Sequence, residues 1–140
     1  MNAEQRIFVD TNILVYAHDF EAGDKNRMAK DKVASLWRGD GTPVISVQVL
    51  QEFYVNLSKK GVVMEQCREA VEDYIGWELV VCDGSLVLKA IEAQQRWNIS
   101  FWDALILEAA RLGAAEVIWS EDFNSGQDYN GVVAINPFVK

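Results

Sequence analysis

The sequence has one histidine, two cysteines and no apolar run approaching the roughly 20 residues that a membrane-spanning helix needs. Each shortage excludes something. His18 with the scattered Cys67 and Cys82 supplies no zinc-ligand spacing. Two cysteines are also too few for a disulfide framework, and Cys67, on a helical stripe with Met64, Val71 and Tyr74, reads as a reduced core thiol. The opening residues, MNAEQRIFVD, show no basic segment followed by an apolar one, so no secretion signal is read and the cytoplasm is the expected compartment. There is no phosphate-binding glycine loop, no dinucleotide turn and no Ser–His pair. Repeats, low-complexity stretches and linkers are missing too, so residues 1–140 are expected to form one domain around one core.

Positive charge is also in short supply. Thirteen basic residues face 21 acids, for a net charge of −8. Alone, that argues against a nucleic-acid partner, because phosphate binding usually needs a basic face. The conclusion reverses if several acids gather divalent cations, whose own charge then sets the local potential.

What is present is an alternation of short apolar runs and helical patterns. Ile7-Phe8-Val9 stops abruptly on Asp10, and Asn12 reads as the N-cap of a segment from Ile13 to Ala17. A helix over 25–38 carries Ala29, Val33, Leu36 and Trp37 at helical spacing, and the turn Gly39 to Pro43 ends it. Val44-Ile45-Ser46 is a second strand, followed by a helix with Leu50, Phe53, Tyr54 and Leu57 on one stripe. Further helices are predicted over 64–75 and 85–97, and another runs from a Ser100 cap to Leu112 with Gly113 as its stop. Leu79–Cys82, Val117–Ser120 and Val132–Ile135 are the remaining strands. Strands alternating with helices predict an α/β fold in three layers, α/β/α, around a mainly parallel sheet. Such sheets bind ligands at the carboxyl ends of their strands.

Asp10 and Asp122 both follow strands, so this topology brings them to one edge despite 112 residues between them. Asp103 shares a helix face with Ile106, Leu107 and Ala110, a poor place for an unpaired charge. It also completes a capping box with Ser100, and the two roles are compatible. Glu52 has a mixed surface around it (Gln48, Val49, Val55 and Asn56) and alone reads equally well as an exposed acid. Glu121 is expected to be a solvated loop acid and His18 a surface residue at a helix end. Glu108, beside Arg111 and off the Asp103 stripe, is expected to matter little to stability or chemistry. Four carboxylates converging without basic partners repel one another unless hard cations bind, and an oxygen-only set favours Mg²⁺ or Mn²⁺. Lys25, Arg27, Lys30, Lys32, Lys59 and Lys60 are the available phosphate contacts.

Asp10-Thr11-Asn12, Glu52, Ser100-Phe101-Trp102-Asp103-Ala104 and Trp119-Ser120-Glu121-Asp122-Phe123 together resemble the PIN-domain family, and within it the short, free-standing VapC toxins. The resemblance spans nearly the whole chain. It implies metal-dependent cleavage of RNA, homodimers, and neutralisation by a small VapB-type antitoxin that places a basic side chain in the acidic site. It makes Asp10, Glu52, Asp103 and Asp122 the catalytic, metal-binding acids, with Asn12 and Ser120 as polar support. Many relatives carry Thr where this chain has Ser120; both supply the hydroxyl. On this reading Asp10 is the central ligand, and Glu52 is either a ligand or the group that orients water. A housekeeping RNA-processing nuclease would share these residues. A haloacid-dehalogenase-type phosphatase would want an acid where Asn12 stands. A receiver domain would use Asp83 and a late lysine, where this chain has Ser120 or Asn136-Pro137.

Overall fold

The computed structural model describes residues 4–139; Met1, Asn2, Ala3 and Lys140, which the sequence reading placed in the same domain, lie outside the described residues. The chain runs β1 (Arg6–Val9), α1 (Thr11–His18), a 3-10 turn (Phe20–Ala22), α2 (Asp24–Trp37), β2 (Thr42–Ser46), α3 (Val47–Lys59) and α4 (Met64–Ile75). It continues through β3 (Glu78–Val80), α5 (Gly84–Trp97), α6 (Phe101–Leu112), β4 (Val117–Trp119) and β5 (Val133–Ile135). The strands form one sheet in the order β3-β2-β1-β4-β5. Every adjacent pair is parallel, with Phe8 opposite both Val44 and Ile118.

That order fixes where a ligand can bind. From β1 the chain steps outward to β2 and β3 on one side, then returns to place β4 and β5 on the other. Right-handed crossovers in opposite directions put the intervening helices on opposite faces, giving the expected three layers. Between β1 and β4 the direction of winding reverses, and connections diverge to leave a crevice at the carboxyl ends of those two strands. Asp10 and Ser120 are the residues immediately beyond those ends. The central strand is sealed, with Ile7, Phe8 and Val9 wholly inaccessible to solvent, as a doubly covered parallel strand must be.

Several boundaries differ from the sequence reading, each for a local reason. Asn12 is not the cap of α1: the helix starts at Thr11, and the Asp10 carboxylate itself accepts the Thr11 backbone N–H. β2 begins at Thr42, so Pro43 lies inside a strand. The Thr42 N–H points to β1, donating to the Gln5 carbonyl, so the missing N–H of Pro43 falls on the other side. There β3 does not pair until Val44, and no ladder bond is lost. β3 stops at Val80 because its partner strand ends at the opposing Ser46, leaving Val81 and Cys82 exposed. The stripe around Cys67 is narrower than expected; Cys67 and Tyr74 are buried while Met64 faces solvent.

Gly113 ends α6 by a different route from the left-handed cap that its identity suggests. Its own φ is −78°, and Ala114 takes the positive φ of 57° instead. Glycine is needed for closeness: a Cβ there would lie 2.6 Å from a Val44 methyl and 2.9 Å from a Val80 methyl. Both are stiff β-branched side chains on sheet strands. Helix propensity favours alanine over glycine by less than the cost of overpacking, so Gly113→Ala should destabilise the fold by about 1–3 kcal/mol. Urea unfolding measures this, and a neutral or stabilising result contradicts the packing argument.

Candidate active site

Asp10 is the most constrained acid in the molecule. It is 4 % exposed, directly after the sealed central strand. The Ser120 hydroxyl donates to Asp10 Oδ2 at 2.6 Å, and the Thr11 backbone N–H donates to Oδ1 at 2.7 Å. Burial nevertheless dominates and lifts its pKa to about 7, against the pull of the two donors and with a further push from the charges of Asp122 and Glu52. Ser120, fully buried, also accepts the Asp122 backbone N–H at 2.9 Å, so one hydroxyl joins the end of β1 to the loop after β4.

The other acids are brought in by their helices. Ser46 caps α3, and nearly two turns further on Glu52 turns toward α1, where Thr11 Oγ1 donates to its Oε1 at 2.8 Å. Ser100 caps α6 by accepting the Asp103 N–H at 3.1 Å, so the capping role read from the sequence is real. Asp103 still has a raised pKa, chiefly from partial desolvation, with Glu52 adding to it and Ser100 opposing. Asp122 is raised likewise by desolvation first and then by Asp103 and Glu121. Asp10, Glu52, Asp103 and Asp122 line one cleft of about 120 Å³, together with Thr11 and the amides of Asn12, Gln48 and Asn56. No lysine or arginine lines it.

Some sequence expectations change here. Asn12 lines the cleft but makes no hydrogen bond to the four acids; the linking residue is Thr11, whose hydroxyl was not singled out. Its signal was available only in space, because Glu52 is 41 residues away. Glu121 is not solvated: Lys25 Nζ binds it at 2.5 Å and also sits over the Tyr16 and Phe138 rings. His18 is packed rather than superficial, with Nε2 2.8 Å from the Tyr74 hydroxyl and its ring edge-on to Phe53. Burial lowers its pKa. Glu108 is buried and holds Arg111, which also binds the Tyr129 and Asn130 carbonyls, so it is a structural acid. Asp83 caps α5 by accepting the Leu86 N–H and is not among the residues lining the cleft, which removes the receiver reading. Of the basic candidates, Arg27 and Lys60 are paired with Asp24 and Asp19, while Lys30 and Lys32 lie over the Phe20 and Trp119 rings.

A family model for the PIN domain matches residues 7–125. The chain belongs to the PIN-domain family. Its fold is similar to that of a toxin–antitoxin complex from Klebsiella pneumoniae at 22 % identity, covering 94 % of this chain and 98 % of that one, with a TM-score of 0.68. Mycobacterium tuberculosis VapC20, a toxin that cleaves the sarcin-ricin loop, is 20 % identical over 83 % of this chain and 89 % of its own, with a TM-score of 0.63. Rickettsia felis VapBC2 bound to a promoter DNA fragment is 18 % identical over 93 % and 97 %, also at 0.63. No curated protein matches the chain.

The donors in this PIN domain suit a hard divalent cation: they are all oxygens, and the buried Asp10 has no cationic partner. Among the described residues no group of three or more His, Cys, Asp or Glu is gathered tightly enough to clasp a bare ion. An ion in this cleft would keep part of its own water shell, as Mg²⁺ commonly does.

The raised pKa of Asp10 has a thermodynamic consequence. Between the ordinary aspartate value of about 3.9 and about 7, the folded state binds more protons than the unfolded state. Stability of the metal-free protein from this group is therefore highest at low pH and is lost as pH rises through that window. His18 acts in the opposite sense, so the variant-minus-wild-type difference isolates Asp10. In EDTA, Asp10→Asn should melt several degrees above wild type at about pH 8, with the gap closing toward about pH 4.5. A gap independent of pH contradicts the assignment.

Proposed function

We propose that this PIN domain is a divalent-metal-dependent endoribonuclease and the toxin half of a toxin–antitoxin pair. The observation that carries the reading is a buried aspartate without a cationic partner, held at the sheet's switch point with three more carboxylates around the same cleft. The fold likeness to toxin–antitoxin proteins supports the biological role.

Asp10, Asp103 and Asp122 would hold Mg²⁺ or Mn²⁺, directly or through the ion's own waters. When bound, such an ion makes a water nucleophilic at neutral pH and offsets the charge that builds on a phosphodiester during hydrolysis. The protein's share is positional. Ser120 and the Thr11 N–H hold both oxygens of Asp10, so its carboxylate does not rotate away. Thr11 engages one oxygen of Glu52 and leaves the other for an ion or for the attacking water. The proposed antitoxin is a small basic protein whose Arg or Lys enters this acidic cleft. Its hold should weaken as salt rises.

Two experiments test this. Purified protein should cut single-stranded RNA with Mg²⁺ or Mn²⁺ and stop in EDTA; undiminished cleavage after thorough chelation rules the reading out. Asp103→Asn separates chemistry from capping. As a cap alone, losing its charge near a helix N-terminus costs about 0.3–1 kcal/mol. Its raised pKa says that repulsion and desolvation outweigh that benefit, so the metal-free variant should be more stable than wild type at neutral pH. Mg²⁺ should no longer raise its melting temperature, and cleavage should fall by orders of magnitude. Glu69→Gln, on an exposed position of α4, is the control. An Asp103→Asn protein that is destabilised, still stabilised by Mg²⁺ and still active returns the residue to a purely structural role.

A further inference from the structure

We infer that the Trp102–Gln48 end of the cleft is a nucleobase subsite, in which the indole stacks on an unpaired base beside the cut and the Gln48 amide reads that base's edge. The inference rests on the ribonuclease reading and names what selects the substrate at that site.

Trp102 precedes Asp103 in the first turn of α6 and borders the cleft, yet 63 % of it is exposed. Phe20, Trp37 and Tyr54 are exposed too, but Lys30 lies over Phe20, Trp37 stacks on Tyr74, and none of the three lines the cleft; Trp102 is the aromatic that does. Among the described residues the one ring contact of Trp102 is perpendicular, with Phe101 at 5.1 Å and 77°, so no ring of theirs lies parallel upon it. It is an apolar plate at the rim of an otherwise acidic groove.

Gln48 supplies the second observation. On α3 the residues facing the cleft are Gln48, Glu52 and Asn56, at i, i+4 and i+8, so an amide stands on each side of the acid. Gln48 Nε2 donates to the Trp102 carbonyl at a long 3.5 Å, which ties the amide to the tryptophan's own backbone. Its Oε1 is shielded from water and has no hydrogen-bond partner. A buried acceptor left unpaired is costly until a donor reaches it, and base amino and imino groups are such donors.

The size of the cleft says what the plate is for. Pockets that enclose small molecules run to about 300–1,000 Å³. At about 120 Å³ this one has room for a phosphate and its ions but not for a nucleotide. A base flanking the bound phosphate must therefore lie outside the carboxylates, at the rim, where Trp102 stands. Recognition of single-stranded RNA by stacking unpaired bases on aromatic rings and pairing their edges with amides has this chemistry. A protein partner covering the same ring is the competing occupant. The amide–acid–amide stripe favours a base, because amides match base edges better than they match a basic peptide.

The probe is a single-stranded RNA library with a randomised centre, cut by the full chain in Mg²⁺ or Mn²⁺, with the cut ends sequenced. Trp102→Phe should keep cleavage, and Trp102→Ala should raise KM about 5- to 150-fold with little change in kcat. Gln48→Leu should flatten base preference at one position next to the cut. An abasic nucleotide at that position should impose the same KM loss on wild type and no further loss on Trp102→Ala, the non-additivity expected of one shared contact. Thermal melting checks that each variant is folded. If wild type cuts while Trp102→Ala keeps both its KM and its base profile, the subsite is overturned, and the ring serves a protein contact instead. If wild type itself cuts no RNA with either metal, the ribonuclease reading falls and the subsite falls with it.

Discussion

A carboxylate buried without a cation is the constraint on which the rest of this structure depends. Removing Asp10 from water costs more than its two hydrogen bonds return, which is why its pKa rises to about 7 rather than falling. The surrounding architecture tolerates that cost and keeps the group in place. The sealed β1 strand delivers Asp10 to the crevice, Ser120 reaches it from beyond β4, and Thr11 turns the first amide of α1 upon it. The same two hydroxyl residues then extend the order outward, Ser120 to the Asp122 backbone and Thr11 to Glu52. Four acids are thereby placed by one buried node and two helix caps.

A chain with net charge −8 is an awkward partner for RNA until the positions of its charges are considered. No basic residue lines the cleft, and Lys25, Arg27 and Lys60 are engaged by acids elsewhere. Long-range attraction for a polyanion is therefore weak in the metal-free protein. On the proposed reading, the divalent ion reverses the potential where the phosphate sits, and neutral contacts from Trp102 and Gln48 supply affinity that charge does not. On the same reading a basic protein segment would suit this site as an inhibitor, because it meets an acidic groove with no internal cation to displace.

Much of this was legible in the residues. The run Ile7-Phe8-Val9 ending on Asp10 and the run Val117–Ser120 shortly before Asp122 announce two parallel strands whose ends share an edge, because alternation of strands and helices leaves few other topologies. Asp103 was conspicuous as an acid on an apolar stripe. Other features were illegible because they depend on partners distant in sequence. The bond from Thr11 to Glu52 spans 41 residues and that from Lys25 to Glu121 spans 96. Glu108 looked dispensable beside Arg111 at i+3, but it is buried, and the Arg111 that it holds also binds the Tyr129 and Asn130 carbonyls, which local spacing does not reveal. Gly113 carried a correct stop signal for a different reason, the close approach of β2 and β3 rather than a left-handed turn.

On the proposed reading, the Asp10 cleft binds a divalent ion through a carboxylate that is largely protonated below neutrality. Calorimetric titration of the metal-free protein with Mn²⁺, in buffers of different ionisation enthalpy, measures binding and proton release together. Near pH 6, below the Asp10 value of about 7, binding should expel close to one proton from this group, and near pH 8.5 almost none. Asp10→Asn should lose both the binding and the proton. Tight Mn²⁺ binding with no pH-dependent proton release, or binding that survives in Asp10→Asn, would contradict the account.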